Sequence, residues 1–337
     1  CQNVKFSLVL ADSVPQELNV DQEPFDEIIT LEELKIPIEN FHLWIFQHTA
    51  VELCTAIKGQ ALVNFLEQGS EAVVYLDPDI VVFDELKELD KLLDIYDVIL
   101  TPHQTVPENN KRDIINNEIC SLQHGVYNFG FYAVKNSPNG LQFAHWWRDR
   151  LVDFCYDDIS DGIFTDQRWG DLVPALFEGV HIWKNPGCNV ATWNLTNRQI
   201  TKNGNEFFVN GHKLKFYHFS GFDSGAQKRM LDIYGNGNPY LYELRQWYIE
   251  QQILEGQGIY GVGNKPAQYN YYDNGELISG DERSLLRKRM DLLEYFGKIN
   301  PYQVDQERSY YYWYRNEHKK ELSATKIMVN GEQYMGV

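Results

Sequence analysis

The chain has 337 residues, 43% of them apolar and 23% charged, which is ordinary for a globular protein and too apolar for a disordered one. Its formal net charge of −18 argues against nucleic acid as the main partner, because phosphate binding needs clustered lysine and arginine. No uninterrupted apolar stretch is long enough to span a bilayer, and the five cysteines lack the CxxC spacing of metal or redox sites, which favours reduced thiols in a cytosolic protein.

The first predicted element is a strand from Val4 to Ala11, close to the first residue, Cys1. Because the chain does not begin with methionine, we expect it to be a piece of a longer polypeptide. A helix is predicted from Glu39 to Lys58, where apolar residues on two faces indicate packing inside the domain. Lys58-Gly59 is predicted to end this helix, and a second helical stretch covers Ala61 to Glu67.

The next element is an apolar run, Ala72 to Leu76, that ends in Asp77-Pro78-Asp79. Five apolar residues in a row predict a strand buried on both faces, as in a parallel sheet flanked by helices. Pro78 lacks an amide hydrogen and restricts Asp77 to extended geometry, so the strand is predicted to stop there. The two carboxylates then stand at the carboxyl end of a buried strand, where open α/β sheets hold ligands. Because adjacent carboxylates repel each other, they predict a divalent cation, which could bridge to a diphosphate.

Further along the chain, helices and strands alternate, which predicts an α/β layer architecture. The predicted helices are Leu86–Tyr96 and Leu141–Phe154, and the predicted strands are Val98–Leu100, Asn128–Val134, His181–Trp183 and Leu214–Phe219. Near Gly256 the sequence becomes rich in glycine and then in tyrosine. We therefore predict a main domain over 1–255 and a C-terminal extension or linker over 256–337, with an amphipathic helix from Arg283 to Phe296.

The chemical signals also have plain structural interpretations. Asp77-Pro78-Asp79 could be a turn only, and a strand that ends in acid-x-acid is shared by glycosyltransferases and aspartyl-nucleophile phosphatases. The phosphatase pattern expects threonine or a small polar residue where this chain has Val81. His218, in an aromatic strand, could be a core residue, although Gly221 would let the backbone approach a phosphate. An imidazole beside two carboxylates would favour Mn²⁺ over Mg²⁺.

A third cluster, 164–169, also admits two interpretations. Thr165 could simply cap a helix that begins at Asp166. In the functional interpretation, Asp166 and Gln167 face a sugar from the positive end of that helix.

Five motifs follow one another between about Lys58 and Gly221. They are Tyr75-Leu76-Asp77-Pro78-Asp79, Tyr127-Asn128-Phe129-Gly130-Phe131, Thr165-Asp166-Gln167, Asn185-Pro186-Gly187-Cys188-Asn189 and His218-Phe219-Ser220-Gly221. In this order they resemble the metal-dependent, retaining glycosyltransferases of the GT-A fold, in particular family 8 and its bacterial relatives. The resemblance implies a Rossmann-like α/β fold, with a mixed, mostly parallel central sheet flanked by helices and a C-terminal helical extension.

The resemblance also implies a role for each motif. Asp77, Asp79 and His218 would ligate Mn²⁺ or Mg²⁺, which binds the diphosphate of a nucleotide sugar, by family habit a UDP-sugar. Asp166 would hold sugar hydroxyls, and the amide of Gln167, a poor nucleophile, would steady an oxocarbenium-like centre during front-face attack. The donor-binding residues would be Lys58, Asp77, Asn128, Asn189 and Gly221.

The chain departs from the family pattern at several positions. Ser224 stands where the family has a lysine that neutralises the leaving diphosphate, with Lys228 and Arg229 as nearby substitutes. Arg168 replaces the third residue of the family's D-Q-D. The family's first strand has no counterpart, so we expect it upstream of this chain. Lys58 lies near where relatives keep a basic residue facing the donor, but a solvated helix end explains it equally well.

The resemblance therefore implies an Mn-dependent hexosyltransferase that transfers a hexose from a nucleotide sugar to a hydroxyl acceptor with retention, in glycan or surface-polysaccharide biosynthesis. The expected partners are the nucleotide sugar, a glycan or other hydroxyl acceptor and further modules of the same polypeptide, without nucleic acid or a transmembrane segment. The expected location is the cytoplasm, at the inner face of the membrane. Two alternatives stay open: a non-catalytic sugar-nucleotide or glycan-binding module of a larger enzyme and, ranked lower, an aspartyl-nucleophile phosphatase.

Overall fold

The computed structural model describes residues 4–16, 18–261, 267–305 and 308–318, and two short strands at 328–329 and 332–333. The strands in chain order are β1 (Ser7–Leu10), β2 (Glu27–Thr30), β3 (Ala72–Leu76), β4 (Ile80–Val82), β5 (Val98–Pro102), β6 (Tyr127–Lys135), β7 (Asp157–Asp158), β8 (Ile163–Phe164), β9 (Val180–Ile182), β10 (Ile200–Asn203), β11 (Glu206–Val209), β12 (His212–Lys213), β13 (Phe216–His218), β14 (Met328–Val329) and β15 (Glu332–Gln333). The α-helices are α1 (Phe41–Phe46), α2 (Ala50–Glu67), α3 (Lys87–Ile95), α4 (Lys111–Asp113), α5 (Cys120–His124), α6 (Pro138–Phe154), α7 (Val173–Leu176), α8 (Ala226–Tyr234), α9 (Pro239–Leu254), α10 (Gln257–Tyr260), α11 (Gly280–Lys288), α12 (Met290–Phe296) and α13 (Tyr310–Trp313).

The chain divides into two compact units. One consists of Cys1–Cys54 with Pro266–Val337, and the other of Thr55–Lys265. All the predicted site residues lie in the second unit, and the predicted domain boundary after residue 255 also falls within it.

The second unit contains a four-stranded sheet with the order β3-β6-β5-β9. Strand β6 runs antiparallel to both of its neighbours, β3 and β5, whereas β5 and β9 are parallel. The predicted mixed α/β class is therefore confirmed, but the expectation of a mostly parallel sheet is wrong for these pairings. Alternation of helices and strands in a sequence does not fix strand direction, because a long connection that contains helices can join either parallel or antiparallel strands.

Strand β3 is confirmed, but its predicted burial on both faces is wrong. It is the outer strand of the hydrogen-bonding order, and Val74 keeps 43% of its surface exposed. Within the four-stranded sheet, the strand whose residues are all buried is β5. An apolar run alone cannot distinguish a strand buried on both faces from an outer strand that is partly exposed. Exposed apolar residues are common on protein surfaces, so their presence in the sequence does not show which strand is buried.

Both faces of the sheet are covered. On one face Phe131 and Ala133 of β6 share a cluster with Leu89 of α3 and with Phe216. On the other face Tyr132 contacts the indole of Trp147 in α6, with ring centroids 5.1 Å apart in an edge-to-face arrangement. Alternate residues of β6 thus face opposite layers, as the period of a strand requires.

Most other predicted elements of this unit are confirmed. The helices predicted at 86–96 and 141–154 correspond to α3 and α6, and the strands predicted at 98–100, 128–134, 181–183 and 214–219 correspond to β5, β6, β9 and β13.

The helix predicted over 39–58 is instead two helices, α1 and α2. Thr49 and Glu52 form a capping box that begins α2 anew: the Thr49 amide donates to the Glu52 carboxylate at 2.7 Å, and the Glu52 amide donates to Thr49 Oγ1 at 3.3 Å. The predicted end at Lys58-Gly59 is wrong, since α2 continues to Glu67. Gly59 serves close packing here, because a Cβ at this position would lie 2.7 Å from the Cα of Arg148 in α6.

In the first unit, β1 and β2 pair in parallel. The helix predicted over 283–296 is two helices, α11 and α12, that break at Arg289. Arg283, which is 2% exposed, donates from Nη1 to the carbonyl oxygens of Phe46 and His48 and from Nη2 to that of Tyr269. This buried guanidinium thus finds its acceptors among the backbone carbonyl oxygens of the same unit, so it is a structural residue of this unit.

Candidate metal centre

Three predicted ligands converge where β3 ends. Asp77 follows β3 directly, and β4 begins just after Asp79. Strand β4 pairs antiparallel with β13, in a register that sets His218 opposite Ile80. This pairing brings the imidazole Nε2 of His218 to 2.9 Å from Oδ1 of Asp79 and 3.9 Å from Oδ2 of Asp77.

The donor set suits a divalent cation. Asp77, Asp79 and His218 each offer one ligand atom, and these atoms lie within 4.8 Å of one another. In an octahedral shell with bonds of about 2.1 Å, cis ligands lie about 3 Å apart and trans ligands about 4.2 Å apart. The two distances from the imidazole fall in this range. The histidine side chain is 4% exposed and the carboxylates 25% and 35%, so solvent reaches the cluster from the side of the carboxylates.

Because Gly130 of β6 has no side chain, there is space for the three candidate ligands to come together. A Cβ at this position would lie 2.5 Å from Cε1 of His218 and 2.8 Å from Oδ2 of Asp77. The amide of Asp77 donates to the carbonyl oxygen of Gly130 at 2.8 Å, so the backbone itself lies against the cluster. A glycine within a strand often marks such a close approach, and this signal in the sequence could have identified Gly130.

The two oxygens of Asp77 have different surroundings. Oδ1 accepts a hydrogen bond from the Tyr75 hydroxyl at 2.6 Å and lies 3.1 Å from Nζ of Lys58, whereas Oδ2 faces His218. Burial raises the pKa of Asp77, but the Lys58 ammonium, together with the neighbouring His218 and the hydrogen bond from Tyr75, outweighs it and holds the pKa below its usual value. Asp77 is therefore kept ionised, with one oxygen left for a cation. Sequence reasoning missed the contribution of Tyr75, because its position in an apolar run suggested only packing.

Lys58 is buried rather than solvated. Its ammonium lies 2.9 Å from Oδ2 of Asp166, donates to the carbonyl oxygen of Phe129 at 3.3 Å and lies 4.6 Å from the centre of the Tyr75 ring. Burial alone would lower the pKa of Lys58, but the carboxylates of Asp166 and Asp77 raise it well above its usual value. Of the two interpretations of Lys58, a solvated helix end is therefore wrong.

Asp166 lies in a turn, not at the start of the predicted helix. Thr165 adopts a left-handed φ of +41°, its hydroxyl donates to Asp166 Oδ1 at 3.0 Å, and the following helix is a 3₁₀ helix that begins only at Arg168. The predicted N-cap is thus wrong, because this hydroxyl contacts a side chain instead of a helix amide. Burial raises the pKa of Asp166, and the neighbouring Lys58 partly offsets this effect.

Asn128 and Gln167 lie beside the cluster and are also buried. Oδ1 of Asn128 is 3.2 Å from Nδ1 of His218, and Nδ2 of Asn128 is 3.2 Å from Oε1 of Gln167. Trp193, to which sequence reasoning gave no role, sets its ring edge-on to the imidazole, with centroids 5.3 Å apart.

Asn189 and Gly221 both have positive φ, at +51° and +72°. The Asn189 side chain is fully buried, and neither its oxygen nor its nitrogen has a hydrogen-bond partner among the residues that the structure describes. A Cβ at Gly221 would lie 3.1 Å from that of Ala226. Ser224 donates to the carbonyl oxygen of Gly221 at 3.2 Å.

Within the described residues, every helix is too short or too polar to cross a bilayer.

Comparisons with known proteins show similarity to two proteins of Bacillus subtilis (strain 168). One, described as "uncharacterized protein YfnD", is 26% identical over 221 residues, which cover 60% of this chain and 67% of that protein. The other, "uncharacterized protein YfnF", is 27% identical over 221 residues, which cover 62% of this chain and 70% of that protein. No family model matches the chain, and no solved structure matches it.

Proposed function

We propose that this chain is a glycosyltransferase of the GT-A type that uses a nucleotide sugar, by family habit a UDP-sugar. The observation that carries the proposal is the convergence of Asp77, Asp79 and His218 at the carboxyl end of β3. Two carboxylate oxygens with one imidazole nitrogen suit Mn²⁺, and Mg²⁺ less well. A cation in this position would supply positive charge against the diphosphate of the donor as it leaves the sugar.

The surrounding side chains prepare this set for a cation. Lys58 and Tyr75 hold one oxygen of Asp77, which leaves the other oxygen directed at His218. Asp166 keeps Lys58 in place by a second ion pair. The amide of Gln167 is a poor nucleophile and is engaged with neighbouring groups, which favours retention by front-face attack over retention through a covalent adduct.

A second candidate is a non-catalytic module that binds sugar nucleotides, and one observation favours it. Ser224 replaces a lysine that would neutralise the leaving diphosphate, and Lys228 forms a 2.6 Å ion pair with Asp232 instead. In this candidate the cation and the nucleotide bind but no bond breaks.

The test combines binding with turnover. We would incubate the chain with a panel of UDP-sugars and hydroxyl acceptors, with and without Mn²⁺, and follow UDP release by chromatography and the product anomer by NMR. The proposal predicts Mn²⁺-dependent UDP release and a product with the anomeric configuration of the donor. An inverted anomer would exclude the retaining mechanism. A thermal shift with UDP-sugar and Mn²⁺ but no UDP release would favour the binding module, and hydrolysis of simple phosphoesters would favour a phosphatase.

A further inference from the structure

A chain of buried amide and imidazole groups leads from Gln167 through Asn128 to His218. Its starting point is fixed by the backbone. The amide N–H of Phe129 donates to Oε1 of Gln167 at 3.2 Å, and Nε2 of Gln167 donates to the carbonyl oxygen of His124 at 2.8 Å. Because a backbone N–H can only donate and a carbonyl oxygen can only accept, the two ends of the Gln167 amide cannot be exchanged.

The orientation of Asn128 follows from that of Gln167. Oε1 of Gln167 is an acceptor, so the atom of Asn128 that faces it at 3.2 Å must be the donor Nδ2. Nε2 of His103 lies 3.2 Å from the same Nδ2 and can accept its second proton. Oδ1 of Asn128 is therefore turned toward His218, 3.2 Å from Nδ1.

The tautomer of His218 follows in turn. Oδ1 of Asn128 can only accept, so Nδ1 of His218 must carry a proton, and the neutral ring then has its lone pair on Nε2. Nε2 is the atom that lies 2.9 Å from Asp79 Oδ1 and 3.9 Å from Asp77 Oδ2. Gln167 and Asn128 thus orient the ring of His218 so that Nε2, the nitrogen that can bind a cation, faces the two carboxylates.

We propose that Asn128 and Gln167 are positioning residues for the metal ligand His218, whose tautomer and ring orientation they set. This inference rests on the cation site of the proposed function. It differs from the roles expected from the sequence, in which both residues surround the transferred sugar. An amide suits the role because, unlike a carboxylate behind the imidazole, it adds no negative charge to a cluster that already holds Asp77 and Asp79.

The first measurement is the tautomer itself, by two-dimensional ¹⁵N–¹H NMR of the histidine rings in protein saturated with the diamagnetic cation Mg²⁺, because in metal-free protein the Asp79 carboxylate, 2.9 Å away, would itself favour a proton on Nε2. We expect a protonated Nδ1 and an unprotonated Nε2 for His218 in the wild type, and a mixture of tautomers or a protonated Nε2 in Asn128→Leu. A wild-type ring protonated on Nε2 would overturn the proposal.

The second measurement is Mn²⁺ affinity, by electron paramagnetic resonance of free Mn²⁺. Asn128→Leu and Gln167→Met should each weaken binding by about 10–100-fold, the usual cost of removing a partner of a ligating histidine. Asn128→Asp retains an acceptor for Nδ1 and should restore the tautomer. Wild-type affinity in Asn128→Leu would contradict the proposal, as would the absence of Mn²⁺ binding by the wild type.

Asn136→Leu is the matched control. Asn136 follows the other end of β6, roughly 26 Å from Asn128, and donates to two backbone carbonyl oxygens, so its loss should change stability but not Mn²⁺ affinity. If Asn136→Leu lost as much Mn²⁺ affinity as Asn128→Leu, the loss would result from a general disturbance of the fold, and the proposal would be overturned. Neither measurement needs sugar transfer, so a wild type that binds Mn²⁺ in the predicted way but transfers no sugar would refute only the proposed function.

Discussion

Lys58 and Asp166 form an ion pair that is closed off from solvent, with Nζ 2.9 Å from Oδ2 and 6% and 4% of the two side chains exposed. The same ammonium lies 3.1 Å from Oδ1 of Asp77. One buried cation thus balances two carboxylates, and only one of these belongs to the proposed metal centre. Structure and cation binding therefore depend on the same lysine.

Lys58→Met tests this dependence. The variant leaves Asp166 buried without a partner, and we expect the free energy of unfolding at neutral pH to fall by about 3–5 kcal/mol, measured by urea denaturation. Lys58→Met combined with Asp166→Leu removes both charges and should recover much of the loss. The control is Lys228→Met, which breaks an exposed pair with Asp232 and should change little. If Lys58→Met were as stable as the wild type, the buried ion pair would not contribute to the free energy of unfolding, and the prediction would be wrong.

Asp79→Asn tests the cation site. A cation that binds only the folded state stabilises it by about 2.7 kcal/mol at 100 times its dissociation constant, so Mn²⁺ should raise the melting temperature of the wild type. Because the substitution removes a ligand, we expect most of this rise to disappear, and any Mn²⁺-dependent turnover to fall by about 10²–10³-fold. Asp149→Asn makes the same change at a carboxylate that is 51% exposed in α6, and it should retain the full rise. If Mn²⁺ raised the melting temperature of Asp79→Asn as much as that of the wild type, the cation would bind at another site.

Gly130→Ala tests the space beneath the cluster. The added methyl group would lie 2.5 Å from Cε1 of His218 and 2.8 Å from Oδ2 of Asp77, closer than atoms can approach. We expect the ligands to separate and Mn²⁺ affinity, measured by isothermal titration calorimetry, to fall more than stability does. Gly280→Ala, at a position where a Cβ would meet no atom within 4 Å, should leave affinity unchanged. Normal Mn²⁺ binding by Gly130→Ala would mean that the cluster does not need this space.

The fourth prediction concerns pH and His48 in the first unit. Burial lowers the pKa of His48 from 6.5 to about 4; Glu52 opposes this shift, and Arg287 and Arg283 add to it. Because the unfolded chain takes up a proton near pH 6.5 and the folded one only near pH 4, stability should be highest above pH 6.5 and fall between these values, by on the order of 3 kcal/mol.

His48→Asn keeps a donor for the carbonyl oxygen of Trp44, which Nδ1 of His48 contacts at 2.7 Å, but it cannot titrate. Urea denaturation at several pH values should therefore show a flatter profile for this variant. His42→Asn, at an exposed histidine of the preceding helix α1, should keep the wild-type profile. An unchanged slope in His48→Asn would refute the prediction.

Local patterns predicted much of the fold. Pro78 marked the end of β3 correctly, since the lost amide hydrogen and the restriction on Asp77 act within adjacent residues. The break between α1 and α2 was missed, although the capping box of Thr49 and Glu52 that produces it is visible in the sequence. The continuation of α2 through Gly59 depends on packing against α6, which local sequence does not contain.

The candidate site could be predicted only in part. The resemblance brought together Asp77, Asp79 and His218, and the structure places these three side chains in one cluster. The burial of Lys58 was not predictable, because it depends on the distant Asp166. The turn at Asp166 was missed for a related reason: Thr165 adopts a left-handed conformation that β-branched residues rarely take, and only tertiary contacts can impose it.

The pairing of β4 with β13 has a consequence for the order of folding. Asp79 and His218 come from distant parts of the chain, and they meet only once Ile80 and His218 lie opposite each other. A shift of one residue in this register would turn the imidazole to the other side of the ribbon. Capture of a cation by the full triad should therefore be a late event during refolding, and the rate at which Mn²⁺ becomes protein-bound would report when this long-range pairing is complete.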